Sequence, residues 1–428
     1  MRRVAVTGLG VVAANGIGKD AFWSACVNGV SGVGPISEFD ASSFPIRVAG
    51  EVRGFDVTQH LPTNSRKSAK IMGRAAKFGV GAAGMALADS GLNLATIDPE
   101  TVGVVIGTGV IPVDVGELMP ILTQVVDDKG QFDLSRLEQP NTGSPLPPMW
   151  ILKHLPNMVA AHISMAFNLQ GPNNTITTAC VAGTQAVGEA FRMIARGECD
   201  VALAGGSDSR LDPLMLMAYT ALGALSRAER NPSEISRPFD RLRDGFVLGE
   251  GAGMLVLEEW EQAVSRGATI YAEVLGFGSS FDAFSITKPD PEGRGGARAI
   301  TAALKEAKLN RDDIDYINAH GTSTRLNDQM ETAAVKRALG DDAHTIPLSS
   351  IKSMIGHSIG AAGAIEAVAM ALTLRDKVVP PTINLTHPDP NCDLDYTPNT
   401  ARDTRAKVAL SNSFGFGGQN GALIMRSV

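Results

Sequence analysis

Residues 176–197 read ITTACVAGTQAVGEAFRMIARG, and residues 347–376 read PLSSIKSMIGHSIGAAGAIEAVAMALTLRD. Each stretch runs from a short strand through a polar turn into a helix of small residues, and each has a reactive residue type near its turn, Cys180 in the first and His357 in the second. The similarity is weak, but it indicates an internal duplication. Because 428 residues exceed the size at which one hydrophobic core keeps growing, we predict two halves, residues 1–250 and residues 251–428.

The rest of the chain shows the same alternation of strands and helices. β-branched runs predict strands at 102–106, 201–204, 253–257 and 314–319, and an Ala-rich helix is predicted at 182–195. This order predicts an α/β protein with buried, largely parallel strands. The least regular segment, 114–148, contains the clusters DDKG, QPNTG and SPLPP around a short helix at 117–126. Such a long irregular segment indicates a lid or a binding loop.

Composition and charge exclude several classes of protein. A net charge of -7 argues against nucleic acid as the main partner, because phosphate binding needs a concentrated basic surface. No stretch approaches the roughly 20 apolar residues that cross a bilayer, and Gly8 and Gly10 interrupt the first apolar run too early for a secretion signal. The four cysteines, Cys26, Cys180, Cys199 and Cys392, are far apart and lack CxxC spacing, so we predict neither a zinc site nor a disulfide framework. We therefore expect the protein in the reducing cytoplasm.

The first strand carries a pattern that invites a different interpretation. Residues 8–13, GLGVVA, fit the dinucleotide-binding fingerprint GxGxxA. That fingerprint requires a helix to begin at once, whereas Asn15-Gly16 predicts a turn and Lys19 a later helix start. We therefore expect these glycines to serve strand packing and not a cofactor.

Cys180 holds the strongest position for chemistry in the chain. It ends a Thr-rich strand and begins a helix, where unpaired N–H groups and the helix dipole favour a thiolate and offer hydrogen bonds to an oxyanion. An inert buried cysteine is the alternative, and Cys180 alone does not decide between them. Further reactive residues follow other predicted strands: His320 in NAHGTST at 318–324, Lys352 and His357 in KSMIGH, and a glycine-rich turn in NSFGFGG at 412–418.

With these motifs in place, the sequence resembles the ketosynthases of the thiolase superfamily, in particular the Cys-His-His type that elongates acyl chains. The resemblance runs from Val4 to Met425 and includes RPFDRLRDGFVLGEGAG at 237–253 and PPTINLTHPDPNCDLDYTP at 380–398. It implies a thiolase-like α/β fold, in which two duplicated βαβαβαββ halves form five layers in the order αβαβα.

The resemblance also implies a role for each site residue. Cys180 matches the nucleophile, His320 and His357 the paired histidines, Lys352 the lysine that supports them, and Glu331 the acid that pairs with this lysine. Asp328 matches a second acid near the site, and Phe416 matches the residue whose backbone N–H joins that of Cys180 in the oxyanion hole and whose ring gates the acyl pocket. The acyl pocket itself is implied at Val110, Phe414 and Phe416. A monovalent cation site is implied at Asn318, Ala319, Glu366, Ser411 and Asn412. No other cofactor is implied, apart from the phosphopantetheine that a carrier protein brings.

The implied reaction is that of a 3-oxoacyl-(acyl-carrier-protein) synthase. Cys180 takes an acyl group from a carrier thioester, malonyl thioester loses CO2, and the resulting carbanion extends the fatty acyl or polyketide chain by two carbons. Four residues depart from the family pattern without removing a catalytic group, which leaves the acyl substrate open: Val181, Ala182, Arg325 and Gln419.

Three alternatives to this reaction differ from it in residues that the sequence shows. Thiolases use a second cysteine where this chain has the GFGG turn, and initiating synthases place asparagine where this chain has His357. A non-catalytic chain-length partner of a ketosynthase heterodimer lacks the nucleophile, whereas Cys180 is present.

The resemblance finally implies partners. These are an acyl carrier protein in its acyl and malonyl forms and a second subunit, most simply in a homodimer, with no nucleic acid and no membrane insertion. Because carriers are acidic and this chain is acidic too, docking requires local basic groups. We predict two sources: Lys70 and Arg74 with Arg66 and Lys67, spaced so that several share one helix face, and the loop residues Arg227 and Arg230.

Overall fold

Ten strands of mainly small and β-branched residues form one sheet. The computed structural model describes residues 1–113, 115–133, 135–136 and 149–428. With the short strand Gly16–Ile17 these ten make an eleven-stranded sheet within the described residues. They are β1 Val4–Ala13, β2 Val102–Gly107, β3 Asn173–Ile176, β4 Val201–Asp208, β5 Gly251–Glu259, β6 Ala272–Phe281, β7 Tyr316–Asn318, β8 Leu348–Ser349, β9 Val408–Gly415 and β10 Gln419–Arg426. Outside this sheet, Gly34–Pro35 pairs with Val48–Ala49, and Val378–Val379 pairs with Arg402–Asp403.

The sheet contains the same unit twice. In the first half the strands lie in the order β3-β2-β4-β5-β1, and in the second half in the order β8-β7-β9-β10-β6. When the strands are counted along the chain within each half, both orders are third, second, fourth, fifth, first. The pairs β2–β3, β2–β4, β7–β8 and β7–β9 are parallel, whereas β4–β5, β5–β1, β9–β10 and β10–β6 are antiparallel. The two units meet where β1 pairs with β6. The predicted duplication is confirmed.

The predicted boundary at 250/251 is wrong. β5 begins at Gly251 and pairs with β4 and β1, so it belongs to the sheet of the first half. The division falls between Glu259 and Ala272, where helix Trp260–Ser265 connects β5 to β6.

Helices complete five layers around the two half-sheets. The α-helices are α1 Lys19–Val27, α2 Arg74–Ser90, α3 Val115–Val125, α4 Met158–Phe167, α5 Ala182–Arg196, α6 Pro213–Leu222, α7 Trp260–Ser265, α8 Arg294–Ala307, α9 Arg325–Leu339, α10 Lys352–Ile355 and α11 Ala362–Asp376. α5 and α11 contact each other and both half-sheets, so they form the middle layer. α2 and α4 pack on the first half-sheet, and α8 and α9 form the layer of the second half. Each half therefore runs βαβαβαββ, as predicted.

Glycines allow the middle layer to pack closely. A Cβ at Gly183 of α5 would lie 2.8 Å from the backbone nitrogen of Ala364, and one at Gly363 of α11 would lie 1.9 Å from the Thr184 hydroxyl. This close approach brings the starts of the two helices together. In β1, a Cβ at Gly10 would lie 1.9 Å from the carbonyl of Ala82 in α2, so this glycine serves strand packing as predicted.

Short 3₁₀ helices connect the main elements. They are Val57–Gln59, Thr63–Ile71, Pro99–Thr101, Trp150–His154, Ala179–Val181, Pro232–Glu234, Arg311–Asp313, Gly340–His344 and Ile359–Ala361. In the segment predicted to be irregular, the structure shows α3 close to the predicted bounds, and the clusters QPNTG and SPLPP lie outside the described residues. Among the helices of the described ranges, none is long and apolar enough to span a membrane.

Candidate active site

Three loops at one edge of the sheet bring a cysteine and two histidines together. Cys180 lies in the 3₁₀ turn between β3 and α5, His320 follows β7, and His357 lies between α10 and α11. Their ligand atoms, the Cys180 sulfur and one ring nitrogen of each histidine, all lie within 4.8 Å of one another. Ala179, just before the cysteine, has a φ of 51°, a left-handed conformation that is strained for alanine. The backbone is thus held in an unusual shape to present Cys180.

The Cys180 thiol contacts a base. Its sulfur lies 3.1 Å from Nε2 of His357, and the residue is buried. Burial raises the pKa of the thiol to about 11, whereas the positive charges of Arg210 and Lys352 and a hydrogen bond from the Phe416 N–H lower it. The protonated thiol is therefore the resting form at neutral pH, and His357 is placed to accept its proton when the sulfur attacks.

The two imidazoles are buried and neutral. Their ring centroids are 5.3 Å apart and their planes are 87° to each other. Burial lowers the pKa of each histidine well below 6.5, and the charge of Lys352 lowers both further. Lys352 Nζ lies 3.2 Å from His320 Nδ1. Because an ammonium group only donates, Nδ1 of His320 accepts and its Nε2 carries the proton.

The partner of Lys352 differs from the prediction. Its Nζ bonds Oε1 of Glu366 in α11, and both side chains are fully buried. Glu331 instead accepts the backbone N–H groups of His320 at 2.8 Å and of Gly321 at 2.7 Å. The predicted Lys352–Glu331 pair is therefore wrong, and Glu331 fixes the turn that presents His320. Burial raises the pKa of Glu331 and of Glu366 to about 7.

Asp328 holds the same turn from another side. Its carboxylate accepts the N–H groups of Thr322 at 3.1 Å and of Phe239 at 2.9 Å, and it lies 3.0 Å from Nε of Arg243. Burial raises the pKa of Asp328. Arg243 is fully buried and also bonds Asp389 at 2.8 Å. Arg243 belongs to the 237–253 motif, but its role could not be predicted, because nothing in the motif indicates which arginine is buried.

The loop between β9 and β10 completes the site. Gly417 and Gly418 have φ values of 86° and 91°, which favour glycine, and they turn the chain so that the Phe416 N–H points at the Cys180 sulfur. The Phe416 ring is 37% exposed and lines the cavity above Cys180. This geometry places the backbone donor of Phe416 beside the sulfur.

A cavity of about 390 Å³ leads to these groups. Cys180, His320, His357, Phe414 and Phe416 line it, as do Lys288 and Arg325, which were not predicted as site residues. Arg325 had been noted only as a departure from the family pattern. Val110 does not line this cavity and is 59% exposed in the single chain, so its predicted place in the acyl pocket is not confirmed.

The predicted docking residues divide into two groups. Lys70 and Arg74 do not share one helix face, because Lys70 lies in the 3₁₀ helix Thr63–Ile71 and Arg74 begins α2. They line a different cavity, and Arg74 bonds Glu250 and Glu38, which is a structural role. Arg227 and Arg230 are exposed. The Arg227 N–H donates to Asp244, which lines the Cys180 cavity, so only this second group adjoins the cavity.

Comparisons with known proteins agree with this geometry. The beta-ketoacyl synthase N-terminal domain matches residues 1–263, and the C-terminal domain matches residues 271–386. The chain is 44% identical over 427 residues to a 3-oxoacyl-(acyl-carrier-protein) synthase 2 of Synechocystis sp., covering 99% of this chain and 98% of that protein. It is 43% identical to the protein of the same name from Coxiella burnetii, covering 100% of this chain and 99% of that one.

Solved structures show the same likeness. A type II polyketide ketosynthase in complex with its acyl carrier protein, AntDE:AntF, superposes with a TM-score of 0.88 at 36% identity and covers 100% of this chain and 99% of that chain. A beta-ketoacyl synthase from Burkholderia phymatum gives a TM-score of 0.88 at 35% identity, with 100% of both chains covered. A buried cysteine and two histidines on duplicated thiolase-like halves, together with these matches over the whole length, show that the chain belongs to the beta-ketoacyl synthase family.

Proposed function

We propose that this protein is a 3-oxoacyl-(acyl-carrier-protein) synthase that condenses a Cys180-bound acyl group with a malonyl thioester. The observation that carries the proposal is the cluster of a thiol and two neutral imidazoles, buried at the base of one cavity and joined by the 3.1 Å contact of Cys180 with His357. A non-catalytic chain-length partner has no use for a thiol in contact with a base. The names of the relatives support the same reaction.

In the first half-reaction, the Cys180 sulfur attacks the carbonyl carbon of a carrier thioester while His357 Nε2 accepts the thiol proton. The N–H groups of Phe416 and Cys180 bind the oxyanion that forms. Collapse of the tetrahedral intermediate breaks the bond to the carrier sulfur, and the carrier thiol leaves with the proton. The product is an acyl-Cys180 thioester.

In the second half-reaction, the malonyl thioester carbonyl accepts hydrogen bonds from His320 Nε2–H and from His357 in the neutral tautomer that carries its proton on Nε2. Loss of CO2 leaves an electron pair that forms an enolate, whose oxygen the two imidazoles stabilise. The enolate carbon attacks the acyl carbonyl, the bond to Cys180 breaks, and the departing thiolate takes up a proton from solvent to regenerate the thiol. The chain leaves as a 3-oxoacyl thioester with two more carbons. Lys352 fixes His320 in the tautomer that donates.

The lowered pKa values of both histidines predict a specific pH dependence. Because each pKa lies well below 6.5, both rings stay neutral when the pH falls from 8 to 6.5. We expect the imidazole 15N NMR signals of His320 and His357 to keep the pattern of neutral rings over this interval, a readout that separates the rings from Glu331 and Glu366, whose pKa values of about 7 fall in the same range. An ordinary histidine would lose about half of the neutral form near pH 6.5. A change to the pattern of protonated rings with that midpoint would contradict the proposed state of the rings.

We further propose a structural Na⁺ or K⁺ ion behind the site. β7 and β9 place Asn318 beside Ser411, and among the described residues no hydrogen-bond partner meets the buried oxygens Ser411 Oγ, Asn412 Oδ1 and Glu366 Oε2. Orphaned buried oxygens of this kind are satisfied by an ion or by water. The residues Asn318, Ala319, Glu366, Ser411 and Asn412 would hold the ion, which would supply charge balance and no chemistry.

We propose an acyl carrier protein as the partner that delivers both substrates. The similar ketosynthase AntDE was solved with its carrier protein. The exposed residues Arg227 and Arg230 beside the cavity, and Lys288 and Arg325 on its wall, supply the positive charge for an acidic carrier. The homodimer and the cytoplasmic location stay predictions.

Charge reversal at Arg227 tests this docking site. Arg227→Glu is expected to raise the KM for carrier-bound substrate on the order of fivefold, because it removes attraction at the rim, and added salt should shrink the difference. A pantetheine thioester should react as with the unchanged protein. The matched control is Lys407→Glu, because Lys407 precedes β9 and is separated from Gly415 by roughly 26 Å of extended strand. Equal effects of both variants, or no influence of salt, would contradict the docking site.

The reaction itself is tested by incubating the protein with acyl carrier and malonyl carrier and identifying the products by mass spectrometry. We expect acylated Cys180 before malonyl carrier is added, and a 3-oxoacyl carrier two carbons longer afterwards. Acylation without extension would contradict the proposed function.

A further inference from the structure

An ion pair that the reaction does not use lies behind Cys180. Asp208 ends β4, and Arg210 follows it by two residues. Nη2 of Arg210 donates to Asp208 at 3.1 Å, and Nη1 donates to the hydroxyl of Tyr219 in α6 at 2.6 Å. The Arg210 side chain is 11% exposed and that of Asp208 only 3%. Charged groups at such depth carry a desolvation cost, so their presence beside a reactive site requires an explanation.

Two glycines make room for this pair. A Cβ at Gly109 would lie 1.7 Å from Nη2 of Arg210, and a Cβ at Gly360 would lie 2.9 Å from a carboxylate oxygen of Asp208. The Gly360 N–H also donates to Asp208 at 2.9 Å. Gly360 belongs to the turn that follows His357. The ion pair is thus built between the end of β2 and the loop of the second histidine.

The pair adjoins the reacting atoms. Tyr219 packs in the same apolar cluster as Cys180. The ring of Phe246 contacts both Tyr219 and His357, with centroid distances of 6.0 Å and 5.3 Å. Arg210 exerts the largest charge effect on the Cys180 thiol. Arg210 and Tyr219 do not line the cavity in front of Cys180 but lie in and beside the buried cluster behind it. An acyl group on Cys180 that extends past the sulfur into this cluster therefore meets a polar wall formed by these two residues.

The wall offers donors to a neutral acceptor. Asp208 balances the charge of Arg210, so the pair as a whole has no net charge that would bind an anion. The Tyr219 oxygen already accepts from Arg210, which leaves its own O–H to donate, and burial raises the pKa of Tyr219 to about 12 so that this proton is retained. A saturated chain would cover these donors without satisfying them, which is unfavourable.

We propose that Tyr219 and Arg210 form a specificity site for an oxygen atom on the acyl chain, so that the enzyme prefers oxo-acyl or hydroxy-acyl groups to saturated groups of equal length. This inference rests on the proposed function, because it concerns the acyl group that Cys180 accepts. It assigns the substrate class that the sequence left open.

The test is a competition for Cys180. Octanoyl, 5-oxooctanoyl and 7-oxooctanoyl pantetheine thioesters are offered in pairs to the full chain, and the acylated protein is quantified by intact mass spectrometry. We expect at least one oxo isomer to acylate Cys180 about tenfold faster than octanoyl, the size expected for a hydrogen bond from a charged network. Small thioesters are used so that carrier docking does not enter the result.

Two variants locate the preference. Tyr219→Phe removes one hydroxyl and should reduce the oxo/octanoyl ratio severalfold. The double variant Asp208→Asn with Arg210→Met removes the ion pair without leaving a buried unpaired charge and should abolish the ratio. Tyr271→Phe is the matched control, because it removes a buried hydroxyl that bonds Asp89 outside the cavity, and its ratio should equal that of the wild type.

The remaining outcomes separate a failure of this inference from a failure of the proposed function. Equal rates for all three thioesters in the wild type, or an unchanged ratio in both variants, would overturn this inference and leave the proposed function intact. Failure of every thioester to acylate Cys180 in the wild type would overturn the proposed function and the inference with it.

Discussion

Cys180→Ala is expected to reduce acyl transfer to the background of the assay, a loss that exceeds that of any other single change proposed for this protein. Alanine offers no atom that attacks a thioester, and Cys26, Cys199 and Cys392 are buried outside the Cys180 cavity. The measurement is the intact mass of the protein after incubation with an acyl carrier thioester, which should show no acyl adduct.

The loss should not reflect unfolding. Cys180 is already a small side chain at the start of a helix, and alanine has the highest helix propensity, so we expect a cost in unfolding free energy of about 1 kcal/mol. Cys199→Ala is the matched control, because Cys199 is as buried as Cys180 but lies in another part of the core, where burial raises its pKa to about 11. An acyl adduct on Cys180→Ala would show that another residue is the nucleophile.

The position of the nucleophile could be predicted because it depends on local rules. A cysteine between a strand and a small-residue helix lies at the edge of the sheet where parallel strands end, and His320 follows such a strand as well. The similarity of residues 176–197 to residues 347–376 also indicated the duplication, although Cys180 and His357 do not occupy equivalent positions in the two halves. In the structure the turn Ile359–Ala361 is the counterpart of Ala179–Val181, so Gly360, not His357, corresponds to Cys180.

Pairwise contacts between distant segments could not be predicted in the same way. Lys352 is close in sequence to Glu366 and not to Glu331, but spacing along the chain does not decide which buried carboxylate faces it. Arg74 was predicted to dock a carrier protein, because the sequence does not indicate its partner Glu250, which lies 176 residues away. The boundary at 250 was misplaced because it rested on chain length, which does not show that the strand beginning at Gly251 pairs within the first half.

The polar wall at Arg210 was missed for a related reason. The segment SDSRLDP at 207–213 is typical of a solvated loop, since it contains serine, aspartate and proline. Its burial follows from the glycines at 109 and 360, which are distant in sequence and admit the ion pair between them. Only the folded arrangement shows that the three segments meet.

The two histidine variants are expected to separate the half-reactions. His320→Ala should reduce malonyl decarboxylation by about a hundredfold or more, because one of two donors to the enolate oxygen is removed, while acylation of Cys180 stays measurable. The 3.1 Å contact adds a second effect for His357→Ala, which removes the base that accepts the thiol proton. The decarboxylation rate of His357→Ala should fall by a factor similar to that of His320→Ala, and its acylation rate should fall by about a hundredfold. Decarboxylation is measured as CO2 release and acylation by intact mass.

A third variant distinguishes hydrogen bonding from packing at His320. The amide of His320→Gln retains an N–H donor, so this variant should recover part of the decarboxylation rate that His320→Ala loses. If His320 acted through packing alone, His320→Gln would not recover decarboxylation more than it recovers acylation. Lys352 loses its contact with Nδ1 in both variants, and therefore a loss of stability is common to both and cancels from the comparison. If His320→Ala slowed acylation as strongly as decarboxylation, the division of roles between the two rings would be wrong, and both histidines would act as one unit around Cys180.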